Sequence, residues 1–379
     1  MKIMFFSDSY PPFTDGVASS LYNIANVLVL EGHDVYICTH ENDTRQVGDE
    51  GVKIIPVKGG RTQTYNFKWS TFHDKNALQR VREIDPDVIH THTINHIGAV
   101  GILIARFLNK PLVSTYHTFM HMRVYNKIVV PDAPNTIEAD TWGYVRMLYN
   151  KADVVVTPSP STSKLLIDNG ITKPVRTISN GIPLNQVGAG GEYIIHGDII
   201  LTVGRVSDEK NISLLLEVFE EYSKINCMAK LIVVGDGAKL VASKKHIKDI
   251  GLNDRVLFTG KLSNEELIGS KLYDNAKVYL TASVTENQPV TILEAMSHGC
   301  PCVGLDAMGM GDLIEDNING YLIPVNEDSV SNMSDALCRI IGHSETRSML
   351  SDGAYNTSRD HQIIDTVKQL SSLYRDLVS

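Results

Sequence analysis

The chain has 379 residues, 43% of them hydrophobic and 21% charged, which suits two globular domains of ordinary size. A net charge of −9 argues against a general nucleic-acid binder, and no apolar run reaches the about 18 residues that cross a bilayer. The five cysteines, at 38, 227, 300, 302 and 338, read as reduced thiols and not as a disulfide or metal framework.

The opening MKIMFFSDSYPP turns polar at Ser7-Asp8 after about five apolar residues, too short a run for a secretory signal. The expectation is a cytoplasmic protein, soluble or peripheral on the inner face of the membrane. Charge is uneven along the chain. Residues 1–185 hold 18 Lys+Arg against 17 Asp+Glu, a net of +1, and the remainder 17 against 27, a net of −10. The near-neutral first half tolerates an anionic surface.

Lys2–Ser7 reads as the first strand. It feeds a long loop, Asp8-Ser9-Tyr10-Pro11-Pro12-Phe13-Thr14-Asp15-Gly16, and then a helix over Val17–Glu31 that stops at Gly32. Gly16 lets backbone come close to a ligand at a helix N-terminus. Further strands are expected at Asp34–Thr39, Val52–Val57, Asp87–Thr91, Leu112–Tyr116, Val154–Thr157 and Val175–Ser179. They are rich in Val and Ile with little polar alternation, as in a parallel sheet covered on both faces. Asn66–His73 mixes aromatics with Lys and His, as an interfacial loop or a packed one does. His90 and His92 lack further ligands at metal spacing and read as loop residues. His117 follows the strand at Leu112, placed to hydrogen-bond a reacting group.

The pattern restarts after the glycine-rich stretch 187–191. Strands are expected at Ile199–Val203, Lys230–Val234, Val256–Thr259, Lys277–Thr281, Pro301–Gly304 and Tyr321–Pro324. Ser263 with Glu266 makes a capping box for a helix running to about Leu272. A last amphipathic helix spans Ile363–Leu377. Alternation of strand and helix predicts two α/β domains of the doubly wound kind, divided near 184–197.

Three stretches of the second half point to chemistry. In TASVTENQPVTILEAMSHG (281–299), Pro289 opens a helix and Gly299 ends it. That sets a helix N-terminus at the sheet rim, where a phosphate is favoured. Glu286 in the loop and Glu294 in the helix are carboxylates suited to sugar hydroxyls. In Gly204-Arg205-Val206-Ser207-Asp208-Glu209-Lys210-Asn211, two cations follow a strand and can clamp a pyrophosphate, stabilising it as a leaving group. Val233-Val234-Gly235-Asp236-Gly237 is a strand running into a glycine turn. The first loop lacks a G-x-G-x-x-G, which disfavours a dinucleotide oxidoreductase.

On these residues the chain resembles glycosyltransferase family 4, retaining enzymes of the GT-B fold. The motifs are TENQPVTILEAMSHG with its Glu-x7-Glu pair, GRVSDEKN, VVGDG, VLFTG, PPFTDGVA, PDVIHTH and STYHT, and they span nearly the whole chain. The resemblance implies two Rossmann-like sheets facing across a deep cleft. The domains would be 1–185 for the acceptor and 186–360 for the nucleotide-sugar, with 361–379 returning to the first domain.

It implies further that Arg205 and Lys210 hold the donor diphosphate and Glu294 the ribose. Glu286 and the backbone at Asn287, Gln288, Pro289 and Val290 would hold the sugar. The base would lie against Gly260, Lys261 and Leu262, with Gly16 closing on the phosphates. His117 would sit beside the reacting sugar, and with Tyr10 and Asp15 would meet the acceptor. No cofactor and no bound metal are expected. In the family, retention is ascribed to front-face attack, with the leaving phosphate taking the acceptor's proton. DGVA, STYHT and the aromatic-basic stretch Trp142–Tyr149 resemble the branch that glycosylates lipids, the diacylglycerol glucosyltransferases and phosphatidylinositol mannosyltransferases. Met308-Gly309-Met310-Gly311-Asp312 departs from the usual glycine pair followed by Pro-Glu, and Lys210-Asn211 from the usual Lys-Gly.

Overall fold

The computed structural model describes residues 1–11, 15–40, 51–57, 59–61, 68–70, 75–117, 137–184, 188 and 191–379. Two compact units share the chain, one of Met1–Gly181 with Ile363–Ser379, the other of Ile182–Gln362.

The first unit runs β1 (Lys2–Phe6), α1 (Gly16–Leu30), β2 (Asp34–His40), β3 (Val52–Val57), β4 (Gly59–Arg61), β5 (Lys68–Ser70), α2 (Lys75–Ile84), β6 (Val88–Thr91), α3 (His96–Phe107), β7 (Leu112–Thr115), α4 (Ile137–Tyr149), β8 (Val154–Thr157), α5 (Pro160–Asp168) and β9 (Val175–Thr177). Seven strands form one parallel sheet in the order β3-β2-β1-β6-β7-β8-β9, while β4 and β5 pair apart as an antiparallel hairpin. Every residue of β6, β7 and β8 is buried. The reason is that both sheet faces are covered, which is why these strands read as unbroken apolar runs.

On one face α1 lays down Leu21, Ile24, Ala25 and Leu28, an i, i+3, i+4, i+7 stripe, against Ile3, Phe5 and Val35. The chain's last helix, Ile363–Val378, adds Val367, Leu370 and Tyr374 to that same core. Met4, Phe6, Ile102 and Tyr149 fill the other face.

The second unit runs β10 (Asp198–Val203), α6 (Ile212–Ile225), β11 (Ala229–Val234), α7 (Leu240–Asp249), β12 (Val256–Gly260), α8 (Asn264–Gly269), α9 (Leu272–Asn275), β13 (Ala276–Leu280), α10 (Val290–Ser297), β14 (Cys302–Leu305), a 3-10 turn at Met308–Asp312, β15 (Gly320–Ile323), α11 (Ser329–Gly342) and α12 (Ser344–Arg359); the last helix of the chain is α13. Its six parallel strands are ordered β12-β11-β10-β13-β14-β15. Strand order reverses between β1 and β6 in the first sheet and between β10 and β13 in the second. In each sheet, taken by itself, the loops leaving those two strands flank the crevice where doubly wound sheets bind ligands.

Local structure departs from the sequence reading in three places. The division falls at Gly181/Ile182, ahead of the glycine-rich stretch, and again at Gln362/Ile363. Ile182 is buried in the second unit's core and its N–H bonds His361 O, so the connection starts as part of that unit. The helix opened by the Ser263–Glu266 capping box stops at Gly269, because Lys271 turns left-handed at φ 60° before α9 begins. His90 lies within β6 and is buried, not on a loop. Of the segment 66–73, only the backbone of β5 falls among the described residues. Pro12, Phe13, Thr14 and Thr118 lie outside them, as do 187, 189 and 190.

Candidate active site

The second unit's switch point is built by backbone close approach. Gly204 turns the chain after β10 at φ 154°, and Gly235 does so after β11 at φ 141°. A Cβ on Gly235 would stand 1.9 Å from Gly204 O, so only glycine lets these loops touch. Arg205 and Lys210 project from the loop they brace.

Lys210 forms an ion pair and hydrogen bond with Glu286 in the loop after β13. Arg205 Nη2 stands 3.2 Å from Glu209 Oε1, and Glu209 is only 1% exposed. Asp208 turns outward to Lys239, at 2.9 Å. The Glu209 carbonyl accepts from Ser283 Oγ and Thr285 Oγ1, at 3.3 Å each, tying the two loops together. The sequence leaves Asp208 and Glu209 equivalent as surface charge; the fold separates them into one solvated and one buried carboxylate.

Glu286 feels opposed effects. Burial pushes its carboxyl up, but the charge and hydrogen bond of Lys210, helped by Ser283 and Arg205, outweigh it and hold the group below its ordinary value. A pocket lies here, lined by Gly204, Arg205, Lys210, Glu286, Pro289 and Thr291 among others. Pro289 is the N-cap of α10 and supplies no side-chain cap, so the helix dipole and first-turn amides face this edge of the sheet. The site therefore offers two cations and a helix N-terminus to an anion, and one paired carboxylate to hydroxyls.

Asn287 and Gln288 are buried beside Glu286, and the side chain of Val290 is core. The 3-10 turn Met308–Asp312 packs against this loop through Gly309. Gly309 N–H donates to Glu286 O at 3.0 Å, and a Cβ on Gly309 would lie 1.7 Å from Asn287 O. Gly260 adopts φ 78° and its carbonyl accepts from Gly235 N–H at 2.8 Å. Lys261 beside it is exposed, and Leu262 packs partly against the core.

Glu294 lies one helical turn into α10, 5% exposed. Oε1 accepts from Asn264 Nδ2 and Oε2 from Tyr273 OH, both at 2.9 Å. Burial raises its pKa to about 7 against the pull of those two hydrogen bonds. Asn264 and Tyr273 carried no signal of their own in the sequence, since they meet Glu294 only through the break between α8 and α9.

At the first unit's switch point Asp8 is the organising group. Its carboxylate accepts from Ile97 N–H at 3.0 Å, Gly98 N–H at 3.3 Å and Thr93 Oγ1 at 2.5 Å, and lies 3.5 Å from His40 Nε2. It caps α3, whose own N-cap Asn95 makes no side-chain cap bond. Burial pushes Asp8 up, but His40, the Ile97 amide and Thr93 together bring it below its ordinary value.

Asp15 is the N-cap of α1, accepting from Val17 and Ala18 N–H at 3.0 and 2.9 Å, and Gly16 begins that helix with open space where a Cβ would be. Tyr10, expected at the acceptor, is 2% exposed and belongs to the same core cluster as Leu21 and Ile24.

Three histidines cluster beside this loop. His90 shares hydrogen bonds with Tyr374 OH at 2.6 Å and Thr115 Oγ1 at 2.7 Å, which ties α13 to β6 and β7. His92 Nδ1 faces His117 Nε2 at 3.0 Å with the rings stacked at 5.0 Å. Burial lowers His90 to about 3 and His117 to about 4. Among the described residues no group of three or more His, Cys, Asp or Glu is placed to hold a metal ion.

Two parallel-sheet units, the second with Arg205, Lys210 and a helix N-terminus at its switch point, define a GT-B glycosyltransferase that uses a nucleotide-sugar donor. The family model Glycosyltransferase Family 4 matches residues 14–186 and Glycosyl transferases group 1 matches 196–357, and the chain belongs to this family. Among its relatives, the alpha-monoglucosyldiacylglycerol synthase of Acholeplasma laidlawii is 28% identical over 100% of this chain and 98% of its own. That of Streptococcus pneumoniae is 29% identical over 89% of this chain and 78% of its own. The GDP-mannose-dependent alpha-mannosyltransferase of Mycobacterium tuberculosis is 24% identical over 86% and 85%.

Two solved structures share the fold. Sucrose-phosphate synthase of Thermosynechococcus elongatus has a TM-score of 0.78 at 18% identity, covering 100% of this chain and 99% of its own. Anabaena HepE in complex with UDP has 0.75 at 17%, covering 99% and 100%.

Proposed function

We propose that this protein transfers a hexose, with retention at the anomeric carbon, from a UDP-glucose-like or GDP-mannose-like donor to a hydroxyl of a lipid such as diacylglycerol. The observation that carries the transferase chemistry is the Lys210–Glu286 pair beside Arg205 at the N-terminus of α10. In this reading the diphosphate takes Lys210, Arg205 and the helix amides, and the sugar hydroxyls take the carboxylate Lys210 releases. The bond from C1 to the diphosphate oxygen breaks, the acceptor oxygen bonds C1 from the same face, and the acceptor's proton passes to the leaving diphosphate. Charge building on that oxygen meets fixed cations, which lowers the barrier. Glu294 holds the ribose and His117 stands beside the sugar. No metal or cofactor takes part.

Support for the lipid acceptor comes from the two alpha-monoglucosyldiacylglycerol synthases, which align over most or all of this chain. Among the described residues no helix is long and apolar enough to cross a membrane. Work at a lipid surface is proposed as peripheral, on the cytoplasmic face, in keeping with the expectation from the sequence.

The test is to incubate purified protein with UDP-glucose, UDP-galactose or GDP-mannose, with and without diacylglycerol vesicles and with EDTA, and to follow nucleoside diphosphate release and product anomericity. One donor, a vesicle requirement, an α-linked product and indifference to EDTA are expected. Release indifferent to vesicles would move the acceptor to a soluble or polysaccharide hydroxyl. Donor binding with no release under any condition would indicate a nucleotide-sugar-binding protein without transfer.

A further inference from the structure

His92 is a buried ring that the chemistry above leaves unused. It follows β6, is 1% exposed, and its backbone N–H donates to Phe6 O at 2.9 Å. Phe5 meets it edge-on at 5.3 Å, and His90 lies 4.4 Å from it, centroid to centroid. Its Nδ1 faces His117 Nε2, and its Nε2 is buried with no hydrogen-bond partner among the described residues. His90 cannot take its place, since both nitrogens of that ring are engaged by Tyr374 and Thr115.

We propose that His92 is a positioning residue that holds His117 in the tautomer bearing its proton on Nδ1, and so makes His117 a fixed hydrogen-bond donor to the substrate. Burial keeps both rings neutral, so a single proton lies between His92 Nδ1 and His117 Nε2. Two arrangements satisfy that contact. If the proton belongs to His117 Nε2, then His92 must carry its own proton on Nε2, a buried N–H with no acceptor. If it belongs to His92 Nδ1, then His92 Nε2 is a bare lone pair and His117 carries its proton on Nδ1. Orphaned buried N–H groups are scarcer than under-used acceptors, which favours the second arrangement. In it His117 Nδ1 donates to a substrate oxygen and cannot take a proton from the acceptor hydroxyl, which leaves that proton to the diphosphate. The functional half of this inference rests on His117 standing beside the sugar.

The test is nitrogen-15 imidazole spectroscopy of the full chain at neutral pH without ligand, assigned with a His117→Gln variant. The Nδ1-protonated tautomer of His117 is expected; the Nε2-protonated form, or an even mixture, overturns the proposal. His92→Asn offers an amide N–H in place of Nδ1–H, while His92→Phe offers none. With folding checked by circular dichroism, His92→Phe is expected to release the tautomer and lower kcat by about 10-fold to 100-fold with little change in donor KM. His92→Asn is expected to keep the tautomer and most of kcat. A His92→Phe protein with wild-type kcat overturns the functional half. A wild-type protein inactive with every donor would sink the transferase reading instead, and the spectrum would still decide the tautomer.

Discussion

Lys210 and Glu286 are paired across the switch point of the second sheet, joining the loop after β10 to the loop after β13. Each neutralises the other, and under the proposed function a donor would enter by exchanging partners: diphosphate for Glu286 at the lysine, sugar hydroxyls for Lys210 at the carboxylate. Lys210→Ala removes both the clamp and the neutralising charge. A loss of about 10²- to 10³-fold in kcat is expected. Because the pair is partly open to solvent, the stability cost should fall at or below the low end of the about 3–5 kcal/mol seen for fully buried pairs. A double-mutant cycle with Glu286→Ala, read by urea denaturation and by kcat, should be strongly non-additive. Additive losses would mean that the two side chains act separately.

The same pair sets a pH limit. Glu286 is held below its ordinary value, so it contributes stability above the unfolded carboxyl pKa that disappears as pH falls through the lower folded value. Binding of an intact nucleotide-sugar should weaken over the same acid range as its sugar hydroxyls lose the carboxylate, as measured by calorimetric titration, whereas a nucleoside diphosphate, which carries no such sugar, should not lose that contact.

Glu294 has the opposite sign. Its pKa stands at about 7 where 4.5 is ordinary, so its contribution is complete below about 4.5 and is lost as pH rises to about 7. The gap amounts to about 3 kcal/mol. Glu294→Gln should flatten the stability profile between those pH values and leave the protein more stable than wild type at pH 8, by chemical denaturation. If Glu294 holds the ribose, the same variant should bind donor about 10-fold to 100-fold more weakly, as loss of a charged hydrogen-bond acceptor costs about 1.5–3 kcal/mol. Increased stability with unchanged donor affinity would place the ribose elsewhere.

Most of this architecture was legible because its signals are local. Buried parallel strands such as Leu112–Thr115 declare themselves as apolar runs, and Pro289 and Gly299 mark the ends of α10 within the sequence itself. Arg205, Lys210, Glu286 and Glu294 could be named because they fall at fixed offsets from strand ends. What escaped depends on the chain folding back. Glu209 and Asp208 are neighbours with opposite fates, decided by whether the side chain turns under Arg205 or out to Lys239. Asn264 and Tyr273 reach Glu294 only because Lys271 breaks the helix between them. Asp8 and Ile97 meet through strand order, which a linear pattern does not carry.

Gly309 tests how far the loop at Glu286 is held from behind. Its N–H fixes the Glu286 carbonyl, and a methyl group there would overlap Asn287 O. That oxygen is backbone, so the clash is relieved only by moving the loop that carries Glu286. Gly309→Ala is expected to destabilise by about 1–3 kcal/mol and to raise donor KM more than it lowers thermal stability alone would explain. The check is donor KM at a temperature where the variant is fully folded by circular dichroism. An unchanged KM there would show that the sugar does not depend on this loop's position.

Asp8 gives the corresponding test in the first unit. Its carboxylate supplies the cap that Asn95 does not, and it draws Thr93 and the amides of Ile97 and Gly98 onto one group. Asp8→Ala would leave those two amides unsatisfied and remove the carboxylate beside His40. Loss of a helix cap costs about 0.5–2 kcal/mol, and the stranded buried groups add to it. The expected signature is local: faster hydrogen exchange at Ile97 and Gly98, with amides deep in β7 slowed or quickened only by the global change in stability. Asp8→Asn keeps one acceptor oxygen and should fall between. Because the Asp8 carboxyl is held below its ordinary value, the stability it contributes is lost on acidification, and Asp8→Ala should be less acid-sensitive than wild type. Uniform exchange changes across the unit, with no excess at Ile97 and Gly98, would show that α3 does not depend on this cap.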